Sequence, residues 1–275
     1  MTMILRKGDT GDNVALLQRR LTRAGFPTPE THIFDHDTES AVMSLQKARG
    51  LVIDGLAGSK TMAAIALDIA TVRHLSDADI VKAAGTLGVP VAAIRAVNEV
   101  ESRGEGFLPD GRPVILFERH VFYKRLKARG LDVDALAAKY PNVVSPERGG
   151  YMGGAAEYTR LAIAERIDAD AAHESASWGA FQIMGYHWQA LEYASVADFV
   201  ARMQHSEADH LDAFVRFIAA DTALLSALKG KKWAAFAKGY NGPDYARNLY
   251  DVKLARAFDR YADMEPPAGP LKAAA

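Results

Sequence analysis

The feature that most constrains the fold is a run of short amphipathic segments near the start of the chain, the first two followed by a glycine. The first is predicted to begin with Asp12 as its cap and to end at Gly25. Its inward face is formed by Val14, Leu17, Leu21 and Ala24. Helices this short are marginal alone in water, so they must pack on one another.

Two further short helices are predicted after the first. One is predicted after Asp37 and ends before Gly50, and the next is capped by Ser59 and runs through Ile65. The inward face of the second consists of Ala41, Val42, Leu45 and Ala48. A weak internal repeat relates the Leu-Leu-Gln of the first helix to the Ser-Leu-Gln of the second. Residues 1–70 are therefore predicted to form a small three-helix bundle.

The rest of the chain, residues 73–263, is predicted to be a second and mostly helical domain. Ser76 and Asp79 form a capping box for its first helix. The turn sequence Pro109 to Pro113 precedes the apolar run Val114 to Phe117, which predicts a short β-hairpin within the helical domain. Residues 264–275 (MEPPAGPLKAAA) are predicted to be a disordered tail.

Composition excludes several classes of function. The formal net charge is -1, so no overall positive field attracts nucleic acid or an anionic membrane. The chain has no cysteine, which excludes cysteine peptidases, thiolate-bound zinc and disulfides. No apolar run approaches the roughly 18 residues of a membrane span, and the N-terminus has too short an apolar stretch for a signal peptide. We expect no stable membrane insertion.

Glu101 is the first candidate catalytic residue. The segment from Val89 to Gly104 is predicted to be a helix, and Ile94 and Val97 share one stripe with Glu101. Burial and the negative end of the helix dipole should both raise the pKa of a carboxyl at this position, as a general acid requires. The alternative is an exposed glutamate beside Arg95 or Arg103.

A second carboxylate follows on another element. Glu118 ends the predicted outgoing strand of the hairpin, and a pair of carboxylates is what glycoside hydrolysis uses. Asp110 competes for this role, but Asp-Gly is a common turn dipeptide, so a structural role in the turn is favoured for Asp110. Glu118 is the preferred partner of Glu101.

Residues 1–70 resemble the peptidoglycan-binding domain 1 family. The matching residues are Val14, Leu17, Gln18, Leu21 and Gly25, then Phe34, Asp35, Thr38, Ala41 and Val42, then Leu45, Gln46, Gly50, Leu51, Asp54, Gly55, Gly58 and Thr61. The resemblance implies binding to cell-wall peptidoglycan. Most of the matched positions are predicted to be core or turn positions, so the motif does not identify the contacting residues.

The second domain resembles the N-acetylmuramidase family found in modular phage endolysins, within the lysozyme-like group. The resemblance is carried by the stretches from Val100 to Pro113, from Leu116 to Phe122, from Ser175 to Gly185 and from Tyr240 to Pro243. It implies a mainly α architecture with a lysozyme-like α+β catalytic domain, and it implies that Glu101 is the catalytic acid. Asp110, His120, Ser177, Gln182, Tyr240 and Asn241 are expected to contact the substrate.

Several motif residues have structural alternatives. Gln182 can donate and accept hydrogen bonds with sugar hydroxyls, and Gly179 permits a ligand to approach the backbone. Trp178, Phe181 and Trp188 can stack on sugar faces, although core packing is favoured for Phe181.

Competing functions remain open. A lytic transglycosylase cleaves the same bond with one glutamate, and a wall-binding adaptor needs no activity. A metalloenzyme is disfavoured because His205, Asp209 and His210 lack an H-E-x-x-H pattern and suit a surface helix. The basic stretch from Arg119 to Arg129 is interpreted as a solvated helix face, with a wall-binding or membrane-disrupting surface as the alternative.

The favoured interpretation is a monomeric endolysin that needs neither metal nor cofactor. We expect it to hydrolyse the β-1,4 bond between N-acetylmuramic acid and N-acetylglucosamine and so to lyse the host cell. Without a signal peptide, it is expected to stay in the host cytoplasm until a separate membrane pore, a holin, gives it access to the periplasm and cell wall.

Overall fold

The protein is described by a computed structural model, which covers residues 4–67, 73–102 and 105–264. It is mainly α-helical with one small sheet, so the predicted fold class is confirmed. The predicted disordered tail lies almost wholly outside the described residues. The chain forms two compact units: Met1–Asp68, Ile80–Val100 and Asp221–Ala275 make the first, and Ile69–Asp79 and Glu101–Ala220 make the second.

The three predicted N-terminal helices are present in the first unit, with Val14, Leu17, Leu21 and Leu45 fully buried. The predicted cap of the first helix is wrong: Gly11 precedes that helix, and Asp12 lies inside it, where a carboxylate complements the helix dipole. The second helix begins at His36, two residues earlier than predicted, and Asp35 caps it by accepting from Thr38 N. Ala48 is exposed, because the buried face of that helix ends earlier. The helices are α1 (Asp12–Arg23), α2 (His36–Ala48) and α3 (Ser59–Leu67).

The internal repeat has a physical basis in two buried glutamines. Gln18 accepts from the N–H groups of Thr31 and His32 and donates to Thr38 Oγ1. Gln46 accepts from the N–H groups of Asp54 and Gly55 and donates to Thr61 Oγ1 in the same way. Each glutamine therefore fixes the loop that follows its helix, which confirms that these motif positions are core and turn positions.

The later helices of the first unit have a shared core that includes Phe236, Leu254 and Tyr261. A capping box at Ser76 and Asp79 starts α4, as predicted. The helices are α4 (Asp77–Leu87), α5 (Val91–Glu101), α12 (Thr222–Lys229), α13 (Trp233–Asn241) and α14 (Tyr250–Met264), with a 3-10 segment at Pro243–Asn248. The unit boundary falls within α4 and before the last residue of α5.

The second unit is built around a three-stranded antiparallel sheet of β1 (Ile115–Phe117), β2 (Ala176–Trp178) and β3 (Ile183–Met184). Ile115 pairs with Trp178 and Phe117 with Ala176, so β1 pairs with a strand about 60 residues away. The predicted hairpin is present and short: Phe107 bridges Pro113, Val114 N donates to Gly106 O at 2.9 Å, and Leu108 N donates to Arg112 O at 2.7 Å. The longer ladder forms between β1 and the distant strand β2.

Helices surround this sheet and bury Phe117, Phe122, Trp178, Phe199 and Phe214. They are α6 (Arg119–Ala128), α7 (Val133–Lys139), α8 (Glu157–Glu165), α9 (Ala169–Glu174), α10 (Val196–His205) and α11 (Glu207–Ala220), with 3-10 turns at Gly154–Ala156 and Gly185–His187.

Candidate active site

Glu101 is the last residue of α5 and is 9% exposed. Ile94 and Val97, on the same stripe, are fully buried, so the predicted inward face is confirmed. Glu99 anchors the helix two residues earlier: it accepts from Tyr261 Oη at 2.7 Å and pairs with Arg260. A rigid helix end therefore carries the buried candidate acid.

A buried carboxylate that sequence reasoning missed orders the chain just after Glu101. Glu207, 2% exposed, accepts from Gly106 N at 2.9 Å and from Leu75 N at 2.8 Å. A carboxylate that binds two backbone N–H groups fixes both segments. Because Leu75 and Gly106 are distant from Glu207 in sequence, no local pattern reveals this role.

His210 fills the space between two glycines of the motifs. Its Nδ1 accepts from Ala180 N at 3.1 Å and its Nε2 donates to Met203 O at 2.7 Å, which requires the neutral ring. A Cβ at Gly106 or Gly179 would lie 2.6 Å from this ring. Gly179 thus makes room for His210, and the surface-helix prediction is wrong for His210, which is 1% exposed.

Asp110 lies in the exposed turn after Glu101. It accepts from Arg112 N at 3.1 Å and from the Arg112 guanidinium at 2.6 Å, and these bonds lower the pKa of Asp110. Leu108 N closes the turn on Arg112 O at 2.7 Å. The contacts are those of a turn residue, as the sequence favoured.

Glu118 lies between β1 and α6, with its backbone N–H donating to Ser175 O at 2.8 Å. Its carboxylate makes no cap bond to the helix. Tyr151 Oη donates to it, at 3.0 and 2.9 Å from the two carboxylate oxygens. His120 Nδ1 is 3.1 Å from Oε2, and Arg148 donates to His120 Nε2 at 3.4 Å.

The protonation of His120 follows from these neighbours. Burial lowers its pKa, against the opposing attraction of Glu118. With Arg148 donating to Nε2, the neutral ring carries its proton on Nδ1, toward Glu118. Two groups, Tyr151 Oη and His120 Nδ1, therefore lie beside the Glu118 carboxylate.

Ser177 and Gln182 bind each other. Ser177 Oγ donates to Gln182 Oε1 at 2.8 Å, and Gln182 Nε2 donates to Gly179 O at 2.8 Å and Val114 O at 3.3 Å. Gln182 has φ of 52°, a left-handed conformation that costs energy for this residue. Both amide hydrogens serve the fold, so a sugar contact by Gln182 would use its remaining carbonyl lone pair.

The three motif aromatics differ in burial. Trp178 is 1% exposed and Phe181 is 3% exposed, so core packing is confirmed for Phe181 and sugar stacking is wrong for Trp178. Trp188 is partly exposed and donates to Glu174 Oε1 at 3.1 Å.

In the first unit, Tyr240 and Asn241 end α13 before Gly242, as the sequence predicted. The Tyr240 ring stacks on Phe236 at 6.0 Å between centroids. The substrate role of these two residues stays a prediction.

A cavity of about 510 Å³ opens on the N-terminal helices of the first unit. Thr28, whose backbone N–H donates to Thr22 Oγ1 at 3.2 Å, holds the loop that forms one wall. The other wall is the exposed face of α2. The lining residues include Phe26, Pro27, Pro29, Asp37, Ser40 and Ser44.

Comparison with known proteins identifies both parts of the chain. The family described as N-acetylmuramidase matches residues 90–262. The chain belongs to the N-acetylmuramidase family. All of the candidate site residues fall within the matched range. A second family, described as a putative peptidoglycan binding domain, matches residues 10–65.

A solved structure is similar to nearly the whole chain. The crystal structure of the Burkholderia AP3 phage endolysin is similar with a TM-score of 0.91 and 56% identity, over 95% of this chain and 100% of that one.

Two curated relatives share a shorter segment with this N-acetylmuramidase. They are the N-acetylmuramoyl-L-alanine amidase CwlL and a probable N-acetylmuramoyl-L-alanine amidase, both of Bacillus licheniformis. Each is 41% identical over 66 residues, 23% of this chain. The aligned chain spans only 18% and 19% of their lengths.

Within the residues that the structure describes, no single helix has the length and apolar character needed to cross a membrane. One pair, Asp77–Leu87 with Val91–Glu101, meets those limits together but is bent by 115°.

Proposed function

We propose that this protein is an endolysin that hydrolyses the β-1,4 bond between N-acetylmuramic acid and N-acetylglucosamine in bacterial peptidoglycan. The observation that carries the proposal is the buried Glu101 at the end of α5, inside the region that matches the N-acetylmuramidase family. Burial disfavours a charged carboxylate, so this position suits an acid that must hold a proton until it meets the substrate.

Glu101 donates its proton to the leaving glycosidic oxygen, and positive charge develops on the sugar ring. Glu118 is the second carboxylate, which stabilises that charge or activates water. Its support is the set of groups around it: Tyr151 donates to the carboxylate, and His120 Nδ1 lies 3.1 Å from it. Among the described residues, no lysine or arginine forms an ion pair with Glu118. Asp110 has a structural role in the turn.

The N-terminal module, residues 1–70, holds the enzyme on the wall, and residues 73–263 perform the cleavage. The match to a putative peptidoglycan binding domain supports this division. The cavity beside α2 supplies apolar proline and phenylalanine surface together with the hydroxyls of Ser40 and Ser44, a combination that suits a glycan. Tethering raises the local concentration of the catalytic residues at their substrate.

The protein acts as a monomer and reaches the wall through a separate membrane pore, after which the host cell lyses. It waits in the host cytoplasm before this release. Co-expression in a bacterial host with and without a pore-forming protein tests this step, because lysis should follow only when both are present.

The reaction is tested by mass spectrometry of digested peptidoglycan. Hydrolysis leaves muramic acid at reducing ends, whereas a lytic transglycosylase leaves anhydro-muramic acid. No release of fragments by the wild-type protein would favour a wall-binding adaptor.

The wall contact is tested with the inactive Glu101→Gln protein, sedimented with purified sacculi. Ser40→Trp fills the cavity and should weaken sedimentation. Leu16→Trp is the matched control, because Leu16 is exposed on α1 and does not line the cavity. Equal binding by both variants would place the wall contact elsewhere.

A further inference from the structure

The loop from Glu147 to Gly154, here the Tyr151 loop, presents two large apolar side chains to solvent. Tyr151 is 45% exposed and Met152 is 63% exposed. Two glycines stand on each side of this pair, and all four have positive φ, between 55° and 95°. The glycines therefore set a backbone path that other residues rarely adopt.

One buried carboxylate anchors both this loop and the strand that leads to Glu118. Glu157 is fully buried and accepts from Met152 N at 2.6 Å, Gly153 N at 2.9 Å and Phe117 N at 3.2 Å. Arg160 donates to Glu157 at 2.6 Å and to Phe117 O at 2.8 Å. The Tyr151 loop and the residue before Glu118 are thus fixed to the same point.

The other end of the loop is held by Arg119, the residue after Glu118. Its guanidinium donates to Glu147 O at 3.0 Å, to Arg148 O at 3.1 Å and to Pro141 O at 3.2 Å. A loop fixed at both ends is pre-organised, so little conformational entropy is lost when it binds a ligand.

Tyr151 connects this loop to Glu118 through its hydroxyl. Burial, and then the hydrogen bond to Glu118, raise the pKa of Tyr151, so the phenol keeps its proton and stays a donor at neutral pH. The hydroxyl is engaged by Glu118, and the residue as a whole is 45% exposed. An exposed, rigid aromatic ring beside a carboxylate is a suitable surface for the apolar face of a pyranose.

We propose that Tyr151 has two tasks in the N-acetylmuramidase reaction: its ring contacts an N-acetylated sugar of the glycan strand, and its hydroxyl positions the Glu118 carboxylate. This inference rests on the proposed role of Glu118. Tyr151 is a positioning and substrate-contact residue, and the proton transfers remain with the carboxylates.

Two substitutions separate the two tasks. For each full-length variant, kcat and KM are measured on purified peptidoglycan. Tyr151→Phe keeps the ring and loses one hydrogen bond to a charged group, so kcat should fall about tenfold with little change in KM. Tyr151→Leu also loses the ring, so KM should rise several-fold in addition. Unchanged kcat and KM in both variants would overturn the proposal.

Tyr123→Phe is the matched control. Tyr123 Oη also donates to a carboxylate, Asp134, at 3.2 Å, but this pair lies elsewhere on the surface of the same unit. The control should keep wild-type kinetics. Thermal unfolding of all three variants detects any general loss of stability, and a kcat that follows the melting temperature in every variant would indicate a merely structural role for Tyr151.

A double-mutant cycle tests whether Tyr151 acts through Glu118. In a Glu118→Gln background, Tyr151→Phe should change kcat less than twofold, because the carboxylate that it positions is gone. Additive effects would overturn the positioning task. If Glu118→Gln alone keeps wild-type kcat, the proposed role of Glu118 is wrong, and so is the positioning task of Tyr151. The KM of Tyr151→Leu still tests the sugar contact independently.

Discussion

Asp110 and Glu118 are two carboxylates that follow Glu101 closely in sequence, yet their surroundings differ. Asp110 is bound by Arg112, two residues away, and both side chains are more than 40% exposed. Glu118 has a side chain only 15% exposed, and Tyr151, which holds it, is 33 residues away. The hydrogen bonds of Asp110 stay within its own turn, so they stabilise that turn. Glu118 is held by a distant segment, as expected for a residue of a functional site.

Glu101→Gln is expected to have the largest effect. Whichever residue is the second carboxylate, Asp110 or Glu118, it can act only together with a proton donor. An amide cannot donate the proton, so we expect peptidoglycan cleavage to fall by about a thousandfold or more. Glu105→Gln, at an exposed position nearby, is the control and should keep activity. Near-normal cleavage by Glu101→Gln would reject the assignment of both partners.

Glu157→Gln removes the anchor beneath Glu118 and leaves Asp110 untouched. Breaking the buried pair with Arg160 should lower the free energy of unfolding by about 3 kcal/mol at pH 7. Glu165→Gln, which breaks an exposed contact with His173, should change it by less than about 1 kcal/mol. Denaturant unfolding measures the free energy of unfolding of both variants. Equal values for Glu157→Gln and wild type would contradict the view that Glu157 rigidly supports Glu118.

The pH dependence of that difference has a definite sign. Burial raises the pKa of Glu157, but hydrogen bonds from Gly153, Met152, Phe117 and Arg160 outweigh it, so the pKa lies below its ordinary value. A carboxyl with a lowered folded-state pKa contributes stability above its unfolded pKa of about 4.3 and loses it as the pH falls below that value. The difference between wild type and Glu157→Gln should therefore shrink in acid.

Glu118→Gln tests the preferred partner directly. The amide oxygen still accepts from Tyr151, so the fold should be kept while the charge is lost. Because a positioned carboxylate contributes about a hundredfold or more in general base catalysis, we expect kcat to fall by about that factor. A loss below threefold would contradict a catalytic role for Glu118.

Asp110→Asn should have the smallest effect. The side chain is exposed and its bonds stay within the turn, so we expect kcat to change by less than about twofold. If this variant instead lost as much activity as Glu118→Gln, Asp110 would take over the role of second carboxylate.

Local features of the fold could be predicted from the sequence alone. Periodicity placed Ile94, Val97 and Glu101 on the buried stripe of α5, and the Ser76 and Asp79 pair correctly predicted the start of α4. The resemblances anticipated both families that match the chain. These signals are readable because helix geometry and capping depend on residues within about four positions of one another.

Contacts between distant segments are visible only in the tertiary structure. It adds the pairing of β1 with β2 to the short local hairpin, places His210 against Gly106 and Gly179, and brings Tyr151 to Glu118. Glu157 and Glu207 gave no signal in sequence, because nothing local distinguishes a glutamate that binds remote backbone N–H groups from one on a solvated helix. Such bonds depend on where separate elements meet, and packing of the whole unit fixes that position.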